Sequence, residues 1–195
     1  MQAAEPRNAQ PAFTAEPTVA SDNTDTDESG PVLSEGEIVG VLEEANAAEI
    51  VHGHLVVERL TDDALRKYAG DMIKVHTQAQ VHLSELSAAR SLGSADSALA
   101  QELSSRHGAV SNALETEQAC ARLDRRYALA EVLHHEELLE LIGYALLPES
   151  RSDALRAELQ RTRYLTQRHL ARARALAERL GTGTGSALST ARSSL

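Results

Sequence analysis

The sequence predicts an all-α protein, an up-and-down bundle of four long helices with an extra helix between the second and the third. Apolar residues recur with a period of about 3.6 through most of the segment 33–180, and no segment sustains the period-2 alternation of a half-buried strand. The loops near residue 61 and at 148–151 are short. Because short loops join antiparallel neighbours, these two observations together indicate a bundle.

The chain divides into a domain and two tails. Residues 1–32 hold four of the five prolines and an acidic tract at 22–28, with little periodic apolar content, and are predicted to form a disordered tether. Residues 181–195 are rich in Gly, Ser and Thr and are predicted to be a flexible tail. The predicted bundle domain covers 33–180.

The first two helices have clear local signals. Ser34 and Glu37 have the spacing of a capping box and predict the start of helix 1, whose apolar face runs to Leu60. Thr61 is predicted to cap helix 2, and Gly93 is predicted to end it.

The rest of the domain holds three more helices. An amphipathic stretch at 96–117 predicts the extra helix, which we expect to lead into or pack beside helix 3. Helix 3 is predicted from about Gln118 to Leu147, with Pro148 as its stop. Ser152 is predicted to cap helix 4.

Each of the four long helices carries an ionisable group on its apolar face. These are Glu49, His76 and His169, and on helix 3 either His134 or His135, because adjacent helical residues lie about 100° apart. At about 1.5 Å of rise per residue, all four groups fall within about two helical turns along the bundle axis. The sequence therefore predicts one polar level inside an otherwise apolar core.

One carboxylate and three imidazoles could bind a single transition metal ion, Zn, Fe, Mn or Cu. The candidate ligands are Glu49, His76, His169 and the inward one of His134 and His135. Glu131, His52 and His134 stand nearby, since Glu49-x-x-His52 and Glu131-x-x-His134 have the i, i+3 spacing of ligand pairs on one helix face. A full di-iron centre is not favoured, because helices 2 and 4 lack carboxylates on their inner stripes.

Two other interpretations of the polar level remain open. It could be purely structural, with Glu49 paired to an imidazolium and the layer setting the register of the helices. It could also line a cavity for a small anionic or polar ligand.

The other polar residues of the helices are given ordinary structural roles. His54, His82 and His107 are predicted to lie at the surface, and Asp124 or Tyr127 is predicted to make a structural buried hydrogen bond.

Composition excludes several classes of function. The net charge of -10 and the scarcity of aromatic residues argue against nucleic-acid binding. The single cysteine, Cys120, has no zinc or redox motif around it. No Gly-rich phosphate loop or Ser-His-Asp order is present. No apolar run reaches the length of a membrane span, and the polar residues after Met1 are typical of a mature exported chain.

Several spacings together resemble one bacterial family. Glu49 and Gly53 are followed by Tyr68-Ala69, Met72-Ile73 and His76; further on come Leu123-Asp124, Tyr127 and His135, and then His169-Leu170. This pattern resembles domain-of-unknown-function family 4142, whose members are mostly exported and ferritin-like. Tyr68, Val75 and Leu123 depart from the typical residues of that family.

The resemblance implies a ferritin-like four-helix bundle, and it favours His135 over His134 as the inward residue. It also implies export to the periplasm or outer membrane, without supplying an activity or cofactor. Three hypotheses follow: an exported bundle that binds a metal or small ligand, a structural module that binds a protein partner or a second copy of itself, and a metal-dependent oxidoreductase.

Overall fold

A computed structural model describes residues 33–181, and the predicted tether and all but the first residue of the predicted tail lie outside it. The described chain is helical and has no strand, which confirms the all-α fold. Its elements are α1 (Glu35–Val56), α2 (Asp63–Arg90), α3 (Ala98–Thr116), α4 (Cys120–Leu141), a π-helical turn (Ile142–Leu146), α5 (Leu147–Glu149) and α6 (Asp153–Arg179).

The start of α1 is the capping box that the sequence predicts. The Ser34 hydroxyl oxygen accepts a hydrogen bond from the Glu37 backbone N–H at 3.2 Å. In return, the Glu37 carboxylate accepts from the Ser34 backbone N–H at 2.8 Å. Two of the N–H groups that a helix start leaves unpaired are thereby satisfied.

The corner between α1 and α2 differs from the prediction, because Asp62 rather than Thr61 caps α2. The Asp62 carboxylate accepts from the Leu65 backbone N–H at 2.8 Å. The Thr61 hydroxyl instead donates to the carboxylate of Asp124, which also accepts from the backbone N–H groups of Thr61 at 3.0 Å and Asp62 at 3.2 Å. Asp124 thus ties α4 to this corner, and the predicted structural hydrogen bond is present.

The segment between α2 and α3 folds back over α1. Helix α2 ends at Arg90, three residues before the predicted stop, and Ser91 adopts a left-handed conformation at φ 52°. The Ala95 N–H then donates to the Gly36 carbonyl at 2.9 Å. As a result α3 packs chiefly against α1 and less against α4, whereas the sequence led us to expect it beside the helix that follows it.

The predicted helix 3 is not one uninterrupted α-helix. Helix α4 begins at Cys120, widens into the π-helical turn after Leu141, and continues as the single turn α5, which contains Pro148. A local change of helix type of this kind re-aims the side chains that follow it. Ser152 caps α6 as predicted, accepting from the Leu155 N–H at 3.2 Å.

Two helix pairs, α1 with α2 and α4 with α6, form the bundle. Gly53 allows the first pair to approach closely, since a Cβ there would lie 2.6 Å from Ile73. Two apolar clusters fill the interior. The first includes Val56, Leu65, Met72, Tyr127 and Ala173, and the second includes Leu42, Leu83, Leu103, Ile142 and Leu159. Along the bundle axis, the predicted polar level lies between these two apolar clusters.

We predict that Asp124→Ala lowers the free energy of unfolding by about 3 kcal/mol, because it leaves three donors at the α1–α2 corner without their charged acceptor. Urea unfolding followed by circular dichroism measures the change. Asp63→Ala, which removes an exposed carboxylate from the same corner, is the control and should shift stability by less than about 0.5 kcal/mol. Equal effects of the two substitutions would contradict this role for Asp124.

Candidate metal centre

Eight ionisable side chains form a buried layer between the two apolar clusters, and we call this set the polar layer. Each of them is 8% exposed or less. The polar layer consists of Glu49 and His52 on α1, His76 on α2, His107 on α3, Glu131, His134 and His135 on α4, and His169 on α6. All five long helices therefore contribute to it.

Three imidazoles of the polar layer converge on one point. His76, His135 and His169 each offer one ring nitrogen, and these atoms lie within 4.8 Å of one another. The ring centroids are 5.4 to 6.2 Å apart. His76 Nε2, His135 Nε2 and His169 Nδ1 are buried without a hydrogen-bond partner. We call these three residues the histidine triad.

Hydrogen bonds on the opposite ring edge orient two members of the triad. His76 Nδ1 donates to the side-chain oxygen of Asn46 at 2.9 Å, and His135 Nδ1 donates to the backbone carbonyl of Glu131 at 2.7 Å. Because Nδ1 carries the proton in both rings, Nε2 keeps its lone pair when the ring is neutral. This is the outer-shell arrangement that holds metal-binding imidazoles in proteins.

Burial keeps the triad uncharged. It lowers the pKa of His135 to about 3 and that of His169 to about 4, and it places the pKa of His76 well below its usual value, with the neighbouring histidines adding to the effect. All three rings are therefore neutral at pH 7. Neutral imidazole is the form that coordinates a metal ion.

Two buried carboxylates lie beside the triad. Glu49 and Glu131 also come within 4.8 Å of His135 through their ligand atoms, and none of their four carboxylate oxygens has a well-aligned hydrogen bond. Burial raises the pKa of Glu131 to about 7. Burial, together with the nearby Glu131, raises the pKa of Glu49 well above its usual value. The pair therefore retains at least one proton near neutral pH.

The carboxylate pair borders two buried tyrosines, Tyr68 and Tyr127, whose ring centroids are 6.4 Å apart. Burial and the charge of Glu131 raise the pKa of both phenols well above the usual value, so both remain protonated. The guanidinium carbon of Arg172 lies 5.1 Å from the centre of the Tyr68 ring. Each hydroxyl is buried and has no well-aligned partner.

Of the four residues predicted as ligands, His76, His135 and His169 lie together, whereas Glu49 belongs to the neighbouring cluster with Glu131 and His135. The position of the α4 histidines also differs from our expectation. Both His134 and His135 are buried, because α3 covers the side of α4 that would otherwise face solvent. His134 Nε2 lies 3.2 Å from a carboxylate oxygen of Glu49. The expectation that only one of the two histidines points inward was wrong.

Helix α3 also accounts for a second error. His107 was predicted at the surface but is 5% exposed, because α3 packs against α1 and turns this residue inward. His107 Nδ1 donates to the Glu44 carboxylate at 3.2 Å, and its backbone carbonyl accepts from His52 Nε2 at 3.3 Å. His54 and His82 are exposed as predicted.

Sequence reasoning also missed two polar residues. Asn46 lies three residues before Glu49, and this i, i+3 spacing was the signal that could have placed it near His76. On α6, Glu158 is buried although we predicted no inward carboxylate there. It pairs with Arg161 at 2.7 Å and His82 at 3.1 Å, eleven residues before His169, and so takes no part in the polar layer.

A family model matches residues 18–176, most of the chain, and its description is "Domain of unknown function (DUF4142)". The chain belongs to this family. The resemblance seen in the sequence is thereby confirmed. No curated protein and no solved structure matches this chain. In the described part of this DUF4142 protein, no helix has the length and apolar character needed to cross a membrane.

The raised pKa of Glu131 predicts that the free energy of unfolding of the metal-free protein depends on pH. Between pH 4.5 and about 7 the unfolded chain has lost this proton while the folded chain retains it, so this residue makes stability fall as pH rises through that window. We predict that Glu131→Gln abolishes this fall. At pH 8 the variant should be more stable than the native protein by about 3 kcal/mol, and at pH 4 the two should be nearly equal.

Urea unfolding in chelator at pH 4 and pH 8 tests this, with Glu140→Gln as the control because Glu140 is exposed on the same helix. The six buried histidines are present in both proteins, so the difference between them reports Glu131 together with its effect on the pKa of the neighbouring Glu49. A variant less stable than the native protein at pH 8 would show that the ionised carboxylate is stabilising in the fold.

Proposed function

We propose that this protein binds one transition metal ion inside its bundle, with His76, His135 and His169 as the ligands. The convergence of three neutral imidazoles, each with a buried and unpartnered nitrogen, is the observation that carries the proposal. A buried polar atom without a partner costs about 1–3 kcal/mol, and three at one point are a large cost that an ion would remove.

The donor set favours particular ions. Imidazole suits Zn, Cu and Fe, whereas Mn prefers oxygen ligands. Three histidine ligands leave a coordination position open, as in catalytic rather than structural zinc sites. The oxidoreductase hypothesis requires a redox-active ion at such an open position, so it depends on which metal the protein retains.

The carboxylate pair is best described as the neighbour of this site. His135 Nδ1 is occupied by the Glu131 carbonyl, so His135 has one free nitrogen and cannot coordinate through both ring edges. The histidine triad and the cluster of Glu49, Glu131 and His135 therefore have one residue in common, His135, which can serve only one of them through Nε2. A cation on the triad would favour ionisation of the adjacent carboxylates, which supply the compensating charge.

A purely structural polar layer is the second candidate. The 3.2 Å approach of His134 to Glu49 supports it, because such pairs can set the register of a bundle. The number of unpartnered atoms in the layer weighs against it, since a register device works through satisfied hydrogen bonds. As part of the same proposal, the protein is exported to the periplasm or the cell envelope, which is what its resemblance to mostly exported proteins implies.

The direct test is elemental analysis of untagged protein purified without chelator. We predict close to one transition metal ion per native chain and less than a tenth of that in His76→Ala/His135→Ala. The matched control is His54→Ala/His82→Ala, which removes two exposed histidines and should retain the native metal content.

Circular dichroism shows whether each variant is folded. If the double alanine variant is unfolded, the single variant His169→Gln, at the less deeply buried member of the triad, replaces it. A native protein without metal that also fails to bind added Zn²⁺, Cu²⁺ or Fe²⁺ would contradict the proposal and favour the structural layer.

Asn46 provides an independent prediction, because its side-chain oxygen orients the His76 ring by accepting from Nδ1. Asn46→Ala should weaken binding of Co²⁺ by about 10- to 100-fold while leaving the stoichiometry at one. Titration followed by the visible absorption of bound Co²⁺ measures the affinity. Asn112→Ala, at an exposed position of α3, is the control and should bind like the native protein.

A further inference from the structure

A cavity lies on the other side of the polar layer, between α3 and α4 and reaching His52 of α1. Its volume is about 490 Å³, within the range of sites that hold small organic ligands. Alanine, valine and leucine side chains form its walls, among them Val110, Ala130 and Leu133. His107 and His134 also line it. None of the triad histidines lines the cavity.

The polar end of this cavity offers a free hydrogen-bond acceptor. His107 Nε2 and His134 Nδ1 are buried without a partner, and the two ring centroids are 4.8 Å apart. His107 Nδ1 donates to the Glu44 carboxylate. Burial lowers the pKa of His107, so the ring is neutral and its Nε2 carries a lone pair. A ligand that binds to His107 must therefore bring a hydrogen-bond donor to this nitrogen.

The charges at the cavity mouth are already balanced. Arg106 forms ion pairs with Glu102 and Glu137, the second of which also lines the cavity. Arg126 lies 3.6 Å from the Glu117 carboxylate and donates to the Ala113 carbonyl at 3.4 Å. Because both guanidinium groups have acidic or carbonyl partners, the mouth supplies little attraction for an anion.

We infer that this cavity binds a small neutral molecule with an apolar, ring-sized body and one hydroxyl group, which donates to Nε2 of His107. The apolar walls bury the body of such a ligand, and the unpartnered Nε2 of His107 orients its head. Phenols and compact alcohols have this chemistry. The site stands apart from the proposed metal function, since it uses none of the three triad histidines.

Phenol, toluene and benzoate separate the alternatives, because they share a ring and differ in the group that would reach His107. Binding to the full chain is measured by calorimetry and by chemical-shift changes in the presence of chelator, so that no metal ion contributes. We expect phenol to bind at least about fivefold more tightly than toluene, the effect of one neutral hydrogen bond, and benzoate to bind most weakly.

Three results would overturn the inference. Preference for benzoate would identify an anion site governed by the two arginines. Equal binding of phenol and toluene would mean that the ligand hydroxyl makes no hydrogen bond to an imidazole. Absence of binding by all three compounds would show that the cavity is not a site for ligands of this class.

Substitutions locate the binding on the molecule. Ala130→Leu fills the cavity and should weaken phenol and toluene together by about tenfold or more. His107→Leu should abolish the preference for phenol while retaining toluene binding. Glu44→Ala, at a partly exposed position, removes the acceptor that fixes the His107 tautomer and should reduce the same preference. His54→Leu is the control and should leave all three affinities unchanged. A preference that survives both His107→Leu and Glu44→Ala would reject His107 as the acceptor.

Discussion

The burial of imidazoles and carboxylates between two apolar clusters is the constraint on which the rest of this structure depends. Removing such groups from water is costly, and the cost appears as lowered pKa values for the histidines and raised ones for the glutamates. Most of this penalty is avoided by proton loss and proton retention. Near neutral pH the histidines are neutral and the pair of Glu49 and Glu131 retains at least one proton, so the bundle can close over eight ionisable side chains without holding eight charges.

The alignment of the layer depends on features at a distance from it. The Asp124 carboxylate holds the α1–α2 corner to α4, and Gly53 allows α1 and α2 to approach closely. The corner fixes the position of α4 along the bundle axis relative to α1 and α2, and Gly53 sets the distance between α1 and α2. Together they help to decide whether side chains from different helices meet at one level. A slip of a single turn, about 5.4 Å, would separate the triad. Stability of the corner and integrity of the candidate site are coupled in this way.

Neighbouring residues on α4 divide the layer into two halves. His135 faces α2 and α6 and joins the histidine triad, whereas His134 faces α1 and α3 and lines the cavity. Their ring centroids are 5.5 Å apart, so the two proposed sites are adjacent through one pair of side chains. The carboxylates of Glu49 and Glu131 lie where the halves meet. This arrangement allows one helix to serve a polar site and an apolar cavity at the same level.

The sequence by itself determined the helices and the level of the polar residues, because periodicity, capping residues and the rise per residue are local properties. The capping box at Ser34, the cap at Ser152 and the candidate ligands Glu49, His76 and His169 were recognisable in this way, whereas the choice of His135 over His134 came from the family resemblance. The tertiary structure alone decided which histidines are buried. Helix α3 packs on α1, which encloses His107 and the second face of α4, and no periodicity within a helix reports what packs against its outer side. Partners from other helices or from the backbone, such as Asn46 for His76, likewise depend on how the helices meet.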